Sequence, residues 1–359
     1  MKYALQLGKF FGIKVQIHWS FLILLSWIVI SNVRSGSGTV QTLWSILFVL
    51  TIFLCVTLHE FGHALAAKRF GIKTKDITLL PIGGLARLES IPEKPREELI
   101  VAIAGPLVNI AIVLLLYPLI HFTTDITSTI SSLTSITSQN FLFNLMFINL
   151  WLAIFNLIPA FPMDGGRVLR ALLAFRLERH KATAIAARIG QMLAVGFIFL
   201  GFFSNPFLVL IGLFIFLGAQ GETEYTQAKS MLKGYTVNDV IMKQYQTLSP
   251  NDTIKEAVAL LLNGQSKSFL VIDNEQVLGT LNRDEIIKAL SSEGENSSIN
   301  HVMNKEIVAL KAETPLEDAW QIIQQHKMLM PVYSYNQLIG TLDTENILEF
   351  IMIKNAESK

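Results

Sequence analysis

Between Ser35 and Leu58 the chain carries no charged residue, and this run ends on His59-Glu60-Phe61-Gly62-His63. A stretch this long and apolar can cross the roughly 30 Å hydrocarbon core of a bilayer. At that depth the backbone must satisfy its own hydrogen bonds, so a helix is the form open to a single span. On a helix, His59 and His63 stand four apart and project from one face. Two imidazoles so placed can hold one zinc ion. Glu60 lies between them, where a carboxylate can act as general base on a metal-activated water. A chain with this feature must supply a third ligand and a membrane fold to carry the set.

Composition supports the membrane reading. The 359 residues are 51% hydrophobic and only 16% charged, against roughly 25% charged in soluble chains. The apolar runs fall in residues 1–220, whereas residues 221–359 read as an ordinary soluble sequence. A net charge of +1 gives no reason to expect nucleic acid as a partner. The single cysteine, Cys55, excludes an intrachain disulfide framework and a cysteine-based zinc site; it reads as a plain membrane-helix residue. The first apolar run, from near Gln16, lacks a small-residue cleavage pattern and reads as a retained helix.

Six apolar segments are able to span: 17–33, 42–67, 99–121, 141–163, 185–203 and 205–219. The first four have the length a bilayer needs. The last two, split only by Ser204-Asn205-Pro206, are short and read as a tight hairpin, one arm of which need not cross fully. Basic residues set an orientation. Residues 68–96 hold Lys68, Arg69, Lys73, Lys75, Arg87, Lys94 and Arg96, and residues 167–188 hold Arg167, Arg170, Arg176, Arg179, Lys181 and Arg188. The alternate loops offer Arg34 alone. This bias predicts a multi-pass protein of the cell membrane with both termini in the cytoplasm. Arg167 and Arg170 read as anchors at the cytoplasmic interface.

The depth of the histidines follows. Entering from outside near Gln41, the second helix reaches His59 after about 27 Å, close to the cytoplasmic side. The fourth segment runs the same way and ends Asn156-Leu157-Ile158-Pro159-Ala160-Phe161-Pro162-Met163-Asp164-Gly165-Gly166-Arg167. Its prolines break the helix and its glycines permit close backbone approach. Asp164 thus arrives at a similar depth, the first charge after residues 126–163. An acid there is a functional candidate by default. It can be the third protein ligand and leave a fourth position for water.

HEFGH followed about 100 residues later by Asn-x-x-Pro-x-x-Pro-x-Asp-Gly resembles the site-2 protease family of intramembrane zinc metalloproteases. The resemblance covers most of residues 1–220. It implies His59, His63 and Asp164 as ligands of one zinc per subunit and Glu60 as the catalytic acid and base. It also implies a β-hairpin near the site, for which Ile77 to Leu88, with Gly83 and Gly84, is the candidate; an extended substrate could pair with its edge. A Gly-x-x-x-Asn pattern, Gly105 to Asn109, suggests that Asn109 faces the site and contacts substrate or intermediate. An interhelical hydrogen bond is the other reading of Asn109. Asn156 has the same two readings, since it can also satisfy carbonyls freed by Pro159. His18, beside Trp19, reads as interfacial. The Thr/Ser-rich 122–140 stretch is too short for an inserted domain.

Residues 237–352 contain an internal repeat of about 62 residues. Val237-Asn238-Asp239-Val240-Ile241-Met242-Lys243 aligns with Ile299-Asn300-His301-Val302-Met303-Asn304-Lys305, and Leu278-Gly279-Thr280-Leu281 with Ile339-Gly340-Thr341-Leu342. Each copy reads helix, strand, strand, helix, with strands near 269–273, 277–281, 330–334 and 338–342. The repeat resembles a tandem pair of cystathionine-beta-synthase (CBS) domains. Such pairs often bind adenine nucleotides, with Thr or Ser three residues after the glycine and Asp six after it. Here those positions are Asn282 and Glu285, then Asp343 and Asn346. The departure leaves a dimerisation or docking role beside nucleotide binding.

The expected fold is therefore a polytopic α-helical membrane protein of about six transmembrane helices with a cytoplasmic α/β CBS module. The expected divisions are 1–220 for the membrane domain, 221–236 for a linker, and 237–292 and 299–353 for the two repeats. The expected function is intramembrane cleavage of the transmembrane segments of membrane proteins, with a homodimer formed through the CBS pair. A CBS-gated metal-ion transporter is the alternative. Glu60 separates the two, because a transporter needs no general base between its ligands.

Overall fold

The computed structural model describes residues 4–357 except Ile82, Ile91, residues 124–135, Gln265 and Lys327. Most of the 122–140 stretch therefore lies outside the described residues. The chain divides into two compact units, Met1–Glu224 and Tyr225–Lys359.

The first unit opens not on a helix but on a hairpin, β1 (Ala4–Phe10) and β2 (Ile13–His18). Phe11 and Gly12 both have positive φ at its two-residue turn, matching the right-handed strand twist. β2 pairs in parallel with β3 (Thr74–Leu80), which pairs antiparallel with β4 (Gly83–Leu88), giving the order β1-β2-β3-β4. Ile13, Val15 and Ile77 of this sheet pack against Phe61 and Ala64 of the second helix. The sheet thus grips the turn of helix that carries the two histidines.

The helices that begin in this unit are α1 (Phe21–Arg34), α2 (Thr39–Arg69), α3 (Pro95–Thr123), α4 (Phe141–Asn156), α5 (Asp164–Ala174), α6 (Arg179–Phe203) and α7 (Pro206–Leu232), the last of which ends in the second unit. Four of them, among the described residues, are long and apolar enough to cross a membrane: α2, α3, α6 and α7. This reverses the expected lengths. The 17–33 segment loses its start to β2, so His18 lies in a strand. The 141–163 segment stops as a helix at Asn156, because Pro159 and Pro162 cannot continue it. Conversely, the last two helices gain polar helix formers that hydropathy does not count. Arg179 to Thr183 extends α6, and Gln220 to Leu232 extends α7 through most of the expected linker.

The second unit holds two similar three-stranded sheets. One has β5 (Thr247–Leu248), β6 (Ser268–Asp273) and β7 (Gln276–Asn282); the other has β8 (Leu310–Lys311), β9 (Met330–Ser334) and β10 (Gln337–Leu342). In each, the first pair is parallel and the second antiparallel. Asn274-Glu275 and Tyr335-Asn336 turn the hairpins with positive φ at both residues. Helices α8 (Ile254–Asn263) and α9 (Arg283–Ser292) flank β6 and β7 in sequence; α10 (Ile299–Val302) follows. α11 (Leu316–His326) and α12 (Thr344–Glu357) flank β9 and β10. Separate apolar cores, around Phe269, Leu281 and Ile286 and around Leu316, Met330 and Leu342, hold the two copies.

Candidate metal centre

α2 delivers His59 and His63 on one face, and α5 delivers Asp164 as its first residue. Between α4 and α5 the chain turns back through Leu157–Met163, whose Ala160 and Met163 pack on Ala194 of α6 and Ile215 of α7. Gly165 and Gly166 seat α5 on that turn. A Cβ at Gly165 would collide with the carbonyls of Leu157 and Ile158, and one at Gly166 would lie 2.6 Å from the nitrogen of Phe161. The glycines are required by this backbone approach, which fixes where Asp164 stands.

The three side chains, all buried, converge. His59 Nε2 and His63 Nε2 are 3.1 Å apart. Asp164 Oδ2 is 3.2 Å from the first and 3.1 Å from the second. The other ring nitrogen of each histidine is engaged elsewhere. His63 Nδ1 donates to the Val101 carbonyl at 2.7 Å, and His59 Nδ1 to Asn109 Oδ1 at 2.5 Å. With the ring protons on Nδ1, both Nε2 atoms present lone pairs, and three acceptors meet with no hydrogen between them. Such a triangle is repulsive without a cation at its centre. A tetrahedral zinc with bonds of about 2.0–2.1 Å spaces its ligand atoms about 3.3–3.4 Å apart, close to the edges seen here. Gly105 of α3 keeps the space beside them open; a Cβ there would strike His63 Nε2 and lie 2.7 Å from His59 Nε2. Donor set, tautomers and room all fit one zinc ion.

Glu60 projects from the flank of α2 next to the face that carries the histidines. Its Oε2 accepts from the backbone N–H of Ala86 at 3.2 Å. A Cβ at Gly84 would lie 2.8 Å from Glu60 Cγ. The hairpin expected from the glycine pair thus forms and lies directly over the glutamate.

Other expected residues fall differently. Asn109 is fully buried, with its oxygen on His59 and its Nδ2 donating to Asn149 Oδ1 at 2.9 Å. It makes the interhelical hydrogen bonds that are its other reading, joining α3 to His59 of α2 and to Asn149 of α4. Asn156 is half-buried at the end of α4. Arg170 is not an interfacial anchor. It is 1% exposed and bonds Glu98 of α3, 2.5 Å away, and Glu222 of α7. Arg179 reaches the same Glu98 at 3.1 Å. In the second unit Asn282 and Glu285 cap each other at the start of α9, the Asn282 N–H donating to Glu285 at 2.8 Å and the Glu285 N–H to Asn282 at 2.9 Å. Asp343 and Asn346 repeat this at α12. All four polar ends serve as helix caps.

Sequence reasoning gave no role to Asn149, Val101 or Ala86. Asn149 had a signal, an amide in mid-helix within a charge-free run. The other two act through the backbone, which no motif records.

The description of peptidase family M50 matches residues 47–197, and that of the CBS domain matches residues 237–292 and 299–353. Zinc metalloprotease MJ0392 of Methanocaldococcus jannaschii is 35% identical over 80% of this chain and 80% of its own. Protein sll0528 of Synechocystis sp. is 28% identical over 99% of this chain and 97% of its own. Among solved structures, the site-2 protease from Methanocaldococcus jannaschii is 38% identical, over 62% of this chain and 95% of that one, with a TM-score of 0.45.

Proposed function

The chain belongs to peptidase family M50, the site-2 protease family, with tandem CBS domains behind the protease, and from that premise we propose the roles of its residues and the class of its substrate. It is a zinc metalloprotease of the intramembrane kind, and the transporter alternative is not favoured. His59, His63 and Asp164 hold the zinc. The observation that carries this assignment is the triangle of three acceptor atoms at 3.1–3.2 Å with both ring protons turned away.

Zinc, when bound, supplies the Lewis acidity that lets water act as a nucleophile near neutral pH and that polarises the scissile carbonyl. Glu60 takes the proton of the attacking water and hands a proton to the leaving amine nitrogen. The Ala86 N–H holds one carboxylate oxygen of Glu60 and leaves the other for that transfer. Gly83 and Gly84 keep the β4 edge bare beside Glu60, so an extended substrate can approach it through main-chain hydrogen bonds. Asn156 stands at the end of α4, beside the turn to Asp164. The substrate is a transmembrane segment of another membrane protein, unwound locally because helical hydrogen bonds shield its carbonyls.

Six crossings, with α1 and α4 as short spans, put both termini in the cytoplasm of the cell. The support is the basic-residue bias together with six apolar helices. His59 stands 20 residues from the start of α2 (Thr39), about 30 Å along it, which suits water entry from the cytoplasmic side. The domain divisions are 1–220, 237–292 and 299–353, and the CBS pair joins two copies of the chain. An adenine nucleotide at the pair would have to displace the caps formed by Asn282, Glu285, Asp343 and Asn346. Calorimetry with ATP, ADP and AMP on the full chain decides that point; absence of heat with all three rules the nucleotide out.

The protease assignment is tested with Glu60→Gln. The variant is expected to keep its zinc and to lose cleavage of a transmembrane test substrate. Cleavage at the wild-type rate would remove Glu60 from the mechanism.

A further inference from the structure

Asn149, on α4, touches no candidate ligand, yet it decides how one of them is protonated. Asn149 Nδ2 donates to the Leu145 carbonyl at 2.8 Å. That acceptor is backbone and has no other orientation. Asn149 Oδ1 must therefore face Asn109, and it accepts from Asn109 Nδ2 at 2.9 Å. Asn109 Oδ1 is then the end turned to His59, and the His59 proton goes to Nδ1 at 2.5 Å. Asn109 and Asn149 are both fully buried, so water does not compete for either amide. If Asn109 were free to rotate its amide by half a turn, it would offer an N–H to Nδ1. The ring proton would move to Nε2, and the lone pair aimed at the ligand triangle would be lost.

We propose that Asn149 is a positioning residue for the metal centre: through Asn109 it holds His59 in the tautomer that binds zinc, so α4 contributes to the site although it carries no ligand. This rests on the zinc assignment made above. The relay has a direction, from the Leu145 carbonyl to the imidazole, and each amide orientation follows from the one before it.

The test is a double-mutant cycle read as zinc affinity, by chelator competition on the full chain in detergent. Asn149→Leu keeps the shape and removes both hydrogen bonds. Asn109→Asp replaces the amide with a carboxylate, which accepts from Nδ1 whichever way it turns and so needs no Asn149 to orient it. Outer partners of metal ligands typically change affinity by about 10–100-fold, so Asn149→Leu is expected to weaken zinc at least about tenfold in the wild-type background and less than about threefold in the Asn109→Asp background. Thermal stability of the four proteins is measured alongside. An equal loss of affinity in both backgrounds means that Asn149 merely packs α4, and no loss in the wild-type background means that Asn109 orients itself; either result overturns the inference and leaves the zinc site standing. A wild-type chain that binds zinc no better than an Asp164→Ala variant overturns the zinc assignment itself, and the inference with it.

Discussion

The backbone N–H of Ala86 lies 3.2 Å from Oε2 of Glu60, so the carboxylate proposed as general base is held by the free edge of a β-sheet and not by another helix. β4 is the outer strand of its sheet and gives its inner edge to β3. The groups on its outer edge are those that an added strand would use. In the proposed mechanism base and substrate would share one strand, which would set the distance between the peptide being cut and the carboxylate that moves its protons.

Gly84 measures how tight that arrangement is. A Cβ there would stand 2.8 Å from Glu60 Cγ and 3.0 Å from Val56 Cγ1, closer than carbon atoms tolerate. Gly84→Ala must push either the hairpin or the glutamate aside. A displacement of about 1 Å at reacting groups can cost about 100-fold in rate. Cleavage of a transmembrane test substrate is expected to fall by roughly that order, while zinc content, measured on the same sample, stays at the wild-type level. Loss of zinc together with activity would show that the hairpin supports the ligands and not the base.

Gly105 gives the opposite separation. Its missing side chain leaves open the space beside both Nε2 atoms, and a Cβ would strike His63. Gly105→Ala is expected to abolish zinc binding. The helix itself should not suffer, since alanine is favoured over glycine in a helix by about 1 kcal/mol. The check is metal content per chain set against the melting temperature of the metal-free protein. Retained zinc would place the ion on the other side of the ligand triangle.

The parts of the site that were legible in sequence are those whose chemistry is written in side chains at fixed spacing. His59, Glu60 and His63 share one helical turn, and Asp164 stands out because residues 126–163 carry no charge. The repeat made the CBS hairpins legible, and Asn274-Glu275 and Tyr335-Asn336 turn where the alignment leaves room. The two-residue strands β5 and β8 are too short to leave a pattern. The opening hairpin was illegible because Ile13 to His18 merges with the apolar run of α1, and hydropathy cannot tell a buried strand from a span. Arg170 misled for a related reason. Counting basic residues treats each as a charge at an interface, whereas this one is neutralised inside the protein by Glu98, 72 positions away in sequence, and by Glu222.

That cluster predicts an asymmetric mutational response. Arg170 is the cation between two carboxylates, and Glu98 is itself 2% exposed. Arg170→Met takes from Glu222 the only cation that the cluster gives it and leaves Glu98 with Arg179 alone, and removing one partner of a buried pair costs about 3–5 kcal/mol. The full chain is expected to melt well below wild type. Adding Glu98→Gln and Glu222→Gln removes both acids and leaves only the partly exposed Arg179 charged, so most of the loss should be recovered, because replacing a buried ionic group is often near neutral. A triple variant no more stable than Arg170→Met alone would show that Arg170 acts through its packing on Phe161, whose ring centroid lies 5.0 Å from the guanidinium carbon.

In the CBS unit the cap of α9 should respond to pH. Burial pushes the Glu285 carboxyl above its ordinary value, and the neighbouring Asp284 adds to this, while the Asn282 N–H that it accepts works against both. An acid whose folded value is raised binds more protons in the folded state than in the unfolded one. Its contribution to stability therefore increases as pH falls from neutral through the folded value towards the ordinary value of about 4.3, and is lost again as pH rises. Glu285→Gln keeps an acceptor for the Asn282 N–H but does not titrate. Hydrogen-exchange protection of the α9 amides in the full chain, corrected for intrinsic exchange, should rise on acidification by more in wild type than in the variant. The same pH dependence in both proteins would show that the Asn282 bond offsets the burial of the carboxylate, leaving the cap indifferent to the proton.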